Sequence, residues 1–186
     1  MNLVHLLPVG TISNSLLANL CVDLPKSLRV ECELYPMRLD PSPSYHAERQ
    51  QFHSSELLQR MRQLVRAKDW RFLAITDVDL YIPILKYVFG EAQMGGPCAI
   101  VSVSRLRQEF YGLPEDDHLV QSRLLKESLH ELGHTLDLPH CEDYRCAMAS
   151  SHSVEWIDLR ERSWCESCYA KAEGRLTHDV VADRRI

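Results

Sequence analysis

No apolar stretch of the chain approaches the ~20 residues that a helix needs to cross a bilayer, so no membrane span is expected. Nor is there a run of Lys or Arg long enough to serve as a nucleic-acid footprint, and the formal net charge is −5. Nucleic acid and membrane are therefore left out as partners. The nearest thing to a basic patch, Arg184-Arg185, reads as a solvated end. Internal repeats are missing, and the one loop-like break is Pro41-Ser42-Pro43-Ser44. The opening MNLVHLLPVG is apolar but has no positive n-region, and Ser and Asn soon interrupt it. A buried first strand suits it better than a secretory leader, and a cytoplasmic, monomeric protein is expected.

What is there suffices for one core. Of the 186 residues 45% are hydrophobic, and a single domain spanning 1–186 is the simplest reading. Leu3 to Val9 looks like a strand and Ser13 to Leu20 like a short helix. Ser27 to Leu34 alternates Leu28, Val30, Cys32 and Leu34 against charged neighbours, the period of a strand with one buried face. His46 to Arg66 carries Leu57, Leu58, Met61, Leu64 and Val65 at helical spacing. Three strands follow, Arg71 to Thr76, Ile84 to Phe89 and Ala99 to Val103, the last two joined through Gly95-Gly96-Pro97. Leu119 to Leu136 is a long helix with Leu124, Leu125, Leu129 and Leu132 on its buried side. The class is α/β with a mixed sheet.

The chemistry sits at the end of that helix. His130 and His134 are four apart, so their imidazoles leave one face about a turn apart. Two nitrogens so placed can reach one Zn²⁺ at ~2.0–2.1 Å. Glu131 lies between them, where it can act as general base toward zinc-activated water. A catalytic site needs a third protein ligand and one open position. His140 supplies the ligand if the helix stops and the chain doubles back, and Pro139 is consistent with a helix that has ended.

Cysteine use points to a second metal. The chain has seven cysteines, an odd number that a complete disulfide framework would not fit. Cys141, Cys146, Cys165 and Cys168 cluster, and two pairs at such spacings suit a closed tetrahedral structural zinc. Such a site can hold together a subdomain too small to bury its own core. Cys21, Cys32 and Cys98 stand apart and read as small core hydrophobes.

The segment HELGHTLDLPH resembles the metzincin motif HExxHxxGxxH, with Asp137 where that clan has the glycine of its turn. Asp is among the few residues that enter the left-handed region with some ease. With Cys141, Cys146, Met148 and Cys165-Glu166-Ser167-Cys168 the resemblance narrows to the archaemetzincin family, whose spacer before CxxC is one residue longer. It extends upstream to Ile75–Tyr81, Tyr87–Ala92 and Val101–Leu106.

This resemblance implies a zincin-like metalloprotease fold: a mixed twisted sheet, an active-site helix and a small zinc-stabilised C-terminal subdomain. The division would fall near residue 136, giving about 1–136 and 137–186. It further implies Met148 as a hydrophobic base beneath the zinc, and Ile84 to Phe89 as an antiparallel edge strand receiving a peptide or protein substrate. Two zinc ions per chain are expected, one catalytic and one structural.

Other candidates were weighed and set aside. Asp77 and Asp79 follow a strand and are taken as solvent-facing acids. His46 and His53, seven apart on the expected helix without a metal motif nearby, are taken as surface residues. Glu155 is a rival third ligand that His140 displaces. Trp156 and Trp164 are expected to pack around the second cysteine pair. The leading expectation is a zinc metallopeptidase. Its alternative is a zinc-binding, peptide-binding module with little hydrolytic activity, favoured only by a third ligand loosened at Asp137.

Overall fold

The structure, a computed structural model, describes residues 2–66 and 69–178. Arg184-Arg185 lie outside the described residues. In chain order the elements begin with β1 (Leu3–Val9), α1 (Asn14–Ser27), β2 (Glu31–Leu34), β3 (Tyr45–His46), β4 (Gln51–His53) and α2 (Ser54–Arg62). They continue with β5 (Arg71–Thr76), β6 (Leu80–Tyr81), β7 (Gly90–Ala92), β8 (Cys98–Ser102), α3 (Asp117–Thr135), α4 (Val154–Leu159) and α5 (Glu166–His178).

Five strands form a mixed sheet in the order β2-β1-β5-β8-β7. The first four run parallel, and β7 closes the edge antiparallel to β8, with Gly90 opposite Val101 and Ala92 opposite Ala99. Helices cover both faces, which is why β5 and β8 read as nearly unbroken apolar runs. Odd-numbered Leu73, Ile75, Ala99 and Val101 face α1 and α3, whereas even-numbered Phe72, Ala74, Cys98 and Ile100 face α2. Apolar side chains after residue 137, among them Leu138, Met148, Ile157, Trp164 and Ala172, join the first of these cores. Among the described residues no helix is long and apolar enough to cross a membrane.

Helix α3 opens where Asp116 accepts a hydrogen bond from Leu119 N at 2.9 Å, a side-chain cap on one of the orphan amides of the first turn. From Arg123 onward nearly every side chain is buried, because α3 lies between the sheet and the C-terminal segment.

Several expectations shift. The helix expected from His46 begins only at Ser54, since every apolar residue that carried the helical spacing lies at or beyond Leu57. His46 to His53 instead forms the β3–β4 hairpin, whose turn holds Gln50 at φ 53°. Ile84 to Phe89 is not a strand, and Ile84 is 86% exposed. Tyr87 and Phe89 are apolar because their rings pack edge to face, and the antiparallel edge strand starts one residue later, at Gly90. Helix α1 continues to Ser27, so the second strand is confined to Glu31–Leu34 and Leu34 is exposed. Trp164 is buried as expected, but Trp156 is half-exposed.

Candidate active site

The last turn of α3 ends in a Schellman motif. Asp137 N donates to His134 O and Leu138 N to Gly133 O, each at 3.0 Å, while Asp137 sits at φ 61°. The left-handed residue expected from the sequence is therefore present without glycine. Its carboxylate pairs with Arg175 of α5. It also lies over Gly95, where a Cβ would come within 2.6 Å of Asp137 Oδ1, and Gly95 N donates to His134 O at 3.0 Å.

This turn carries the chain back to His140. One nitrogen each from His130, His134 and His140 lies within 4.8 Å of the other two. His130 Nδ1 bonds to Ala147 O at 2.9 Å and His134 Nδ1 to Leu138 O at 2.8 Å. Because carbonyls only accept, both Nδ1 atoms carry the protons, and both Nε2 atoms present lone pairs. Those Nε2 atoms are 3.0 Å apart. Two lone pairs at that distance repel unless a proton or cation lies between them. Burial pushes the basicity of all three imidazoles down, most strongly at His130, and Arg160 adds to the effect. Neutral rings whose outer N–H groups are held by carbonyls are what a divalent metal requires.

Glu131 is buried beside them. Burial pushes its carboxyl well above the usual carboxylate range, and the negative charges of Glu127 and Glu91 push further. The side chain packs on the edge strand: a Cβ on Gly90 would fall 2.7 Å from Glu131 Oε1 and 2.6 Å from Ile100 O. A Cβ on Gly133 would overlap Met148 Sδ, and Met148 is fully buried.

The four clustered cysteines also converge, their sulfurs all within 4.8 Å of one another. Cys141 Sγ is 3.7 Å from Cys165 Sγ, and Cys146 Sγ is 3.8 Å from Cys168 Sγ. A tetrahedron with metal–sulfur bonds of 2.3 Å has edges of about 3.8 Å, so the spacing fits a metal rather than disulfides. Cys146 Sγ accepts from the backbone amides of Met148 at 3.4 Å and Cys165 at 3.2 Å. The Cys168 amide lowers the Cys165 thiol, while burial raises Cys146 and Cys168. Four sulfurs at this spacing could hold one cation as thiolates.

The profile of peptidase family M54 matches residues 28–174. An archaemetzincin from Methanocaldococcus jannaschii is 38% identical over 168 residues, covering 90% of this chain and 91% of its own length. The chain belongs to the archaemetzincin family.

It is accordingly a metallopeptidase, a hydrolase of peptides or proteins. Solved structures agree. An archaemetzincin from Archaeoglobus fulgidus, crystallised with malonate, superposes with TM-score 0.78 and 32% identity over 91% of this chain and 99% of its own. A zinc-dependent peptidase from Methanocorpusculum labreanum gives TM-score 0.82 and 26% identity over 91% and 99%.

Sequence reasoning passed over several residues of this archaemetzincin site. Arg160 is buried and donates to Glu127 Oε1 at 2.8 Å and to Ala147 O at 3.3 Å, the carbonyl that also holds His130. Glu127 sits on α3 one turn before His130, and nothing local in the sequence pairs it with a residue 33 positions on. Asp79 forms a two-pronged pair with Arg105, both contacts at 2.7 Å, and Asp77 accepts from Thr11, so these acids brace loops. Glu155 is exposed on α4 and outside the histidine cluster. Cys98 is core filling, whereas Cys21 and Cys32 are half-buried and face one another at 2.8 Å.

Proposed function

We propose that His130, His134 and His140 hold a catalytic zinc ion, that Cys141, Cys146, Cys165 and Cys168 hold a structural one, and that Glu131 is the general base of peptide-bond hydrolysis. The observation that carries this reading is the pair of Nε2 lone pairs converging beside a buried carboxylate. A zinc ion bound there supplies Lewis acidity, polarising a carbonyl and lowering the pKa of water. The remaining work falls to side chains of the chain. The Ala147 and Leu138 carbonyls fix the tautomers of His130 and His134. Burial raises the Glu131 carboxyl, which strengthens it as a base toward the attacking water and lets it return the proton to the leaving nitrogen. Strand β7 ends the sheet, so an extended peptide can add beside Gly90–Ala92 as a further strand, with its scissile carbonyl near Glu131.

Residues to about 136 form an upper subdomain in this reading. The remainder forms a lower one that the cysteine-bound ion fastens. Four clustered thiols suit a reducing compartment, and on that ground we place the protein in the cytoplasm. The test is Glu131→Gln. Hydrolysis of a peptide library is expected to fall by about 10²–10⁴-fold while zinc per chain is unchanged. Undiminished hydrolysis in that variant would remove Glu131 from the mechanism. Absence of hydrolysis in the wild type at full zinc occupancy would favour the binding-module alternative.

A further inference from the structure

A third group of metal-type donors lies away from both clusters, at the junction of the β3–β4 hairpin with α2. His46 comes from β3, His53 from the end of β4, and Glu56 from the first turn of α2. His46 Nε2 lies 3.5 Å from Glu56 Oε1, and His53 Nδ1 lies 3.2 Å from the same oxygen. One donor atom from each of the three residues lies within 4.8 Å of the other two, against about 3.3 Å for the edge of a tetrahedral site with bonds of 2.0–2.1 Å. His46 is half-exposed, and a small turn of its ring closes the difference.

A second observation points to a ligand. His53 Nδ1 is buried, and what faces it is the Glu56 carboxylate at 3.2 Å, with no carbonyl or hydroxyl hydrogen-bonded to it. A buried ring nitrogen left without a partner is costly, and a metal lone-pair contact would satisfy it. Among the described residues Glu56 pairs with no lysine or arginine, and its charge is answered only by the two imidazoles. Arg49 lies over the Tyr81 ring nearby, yet its donors go to Gln51 Oε1 and to the carbonyls of Leu85 and Lys86.

The frame is rigid. Both histidine rings pack on Tyr81, at 5.5 and 5.2 Å between centroids, and His53 is paired with Tyr81 across β4 and β6. Ser54 and Ser55, next in the chain, donate to Glu91 on β7, the strand that borders the active site.

We propose that His46, His53 and Glu56 form a third cation site, for a divalent transition metal of zinc type. Two imidazoles and one carboxylate suit such an ion better than calcium or magnesium, which take oxygen ligands. An ion here ties the hairpin to α2 and, through Ser54 and Ser55, steadies the strand beside the cleft. The proposal rests on neither the catalytic assignment nor the cysteine cluster.

The test compares the full-length wild type with His46→Ala and Glu56→Gln after equilibrium dialysis against zinc, with metal per chain read by emission spectrometry. Both side chains are partly exposed, at 46% and 40%, so the folds should match by circular dichroism. The wild type is expected to hold one more zinc per chain than either variant, and its melting temperature should rise with added zinc where theirs does not. Equal zinc per chain in all three proteins overturns the site and leaves an ordinary histidine–carboxylate cluster. Should a variant fail to fold, the ring resonances of His46 and His53 in the wild type decide. Their movement on zinc addition supports the site, and their constancy overturns it. Neither variant touches Glu131 or the other two clusters, so failure here is separable from failure of the Glu131→Gln test.

Discussion

At the scale of single residues, two positions carry more than their chemistry suggests. Gly133 lies inside the HELGH segment, and no residue with a side chain fits there because Met148 Sδ occupies the space of its Cβ. Gly133→Ala should cost about 1–3 kcal/mol by overpacking and lower retention of the zinc that we propose at the histidines. In a double-mutant cycle, Gly133→Ala with Met148→Ala should cost less than the sum of the two single changes. An additive result would mean that the two residues are not in contact. Cys98, fully buried, offers a pH test. Burial raises its thiol from the ordinary 9.0 to about 11. Between those values the unfolded chain has lost this proton while the folded chain keeps it, so stability falls as pH rises through that window. The loss amounts to about 2–3 kcal/mol. Urea midpoints followed from pH 8 to 11 (about the window that the two values define) should fall less steeply for Cys98→Ala than for the wild type. Parallel curves would show that the thiol does not contribute.

At the scale of elements, α3 decides most of the site. Its histidines were legible because an i, i+4 spacing has one geometric consequence on any helix. The turn after it was legible as well, since Asp137 tolerates the left-handed region that the doubling-back requires. Strand β7 was not. The apolar run Ile84 to Phe89 imitates a strand, but Ile84 and Leu85 are exposed, only its end at Phe89 is buried, and pairing with β8 is made by Gly90–Ala92. The Glu127–Arg160 pair, which joins α3 to the loop holding His130 in place, is a bond between distant segments. Arg160→Met leaves the Glu127 carboxylate buried without a partner and should destabilise by about 3–5 kcal/mol in chemical unfolding. Adding Glu127→Met should recover most of that loss. A double variant no more stable than the single one would show that the pair is not the source.

At the scale of the whole molecule, the described residues after 137 share a core with the rest of the chain. The Met148, Ile157, Trp164 and Ala172 side chains lie in the core built by β1, α1 and α3, and Trp164 Nε1 donates to Leu129 O at 3.0 Å. Loss of the metal that we propose on the four cysteines should therefore destabilise the protein as one unit. Cys165→Ser with Cys168→Ser, or exposure to a strong chelator, is expected to lower a single cooperative melting transition seen by far-UV circular dichroism. Two separate transitions would instead mean that the C-terminal segment folds on its own.

The sequence by itself determined the α/β class, the archaemetzincin family, the helix that bears His130, Glu131 and His134, and the grouping of the four cysteines. Those features depend on local periods and short spacings, which hold wherever the chain goes. Only the tertiary structure decided that His46 and His53 meet Glu56, that Arg160 reaches Glu127, that Gly90 lies against Glu131, and that Gly133 seats Met148. Each of these joins residues through a turn, a sheet register or a packed face, and such contacts are set by how elements bury their apolar sides together, which spacing along the chain does not record.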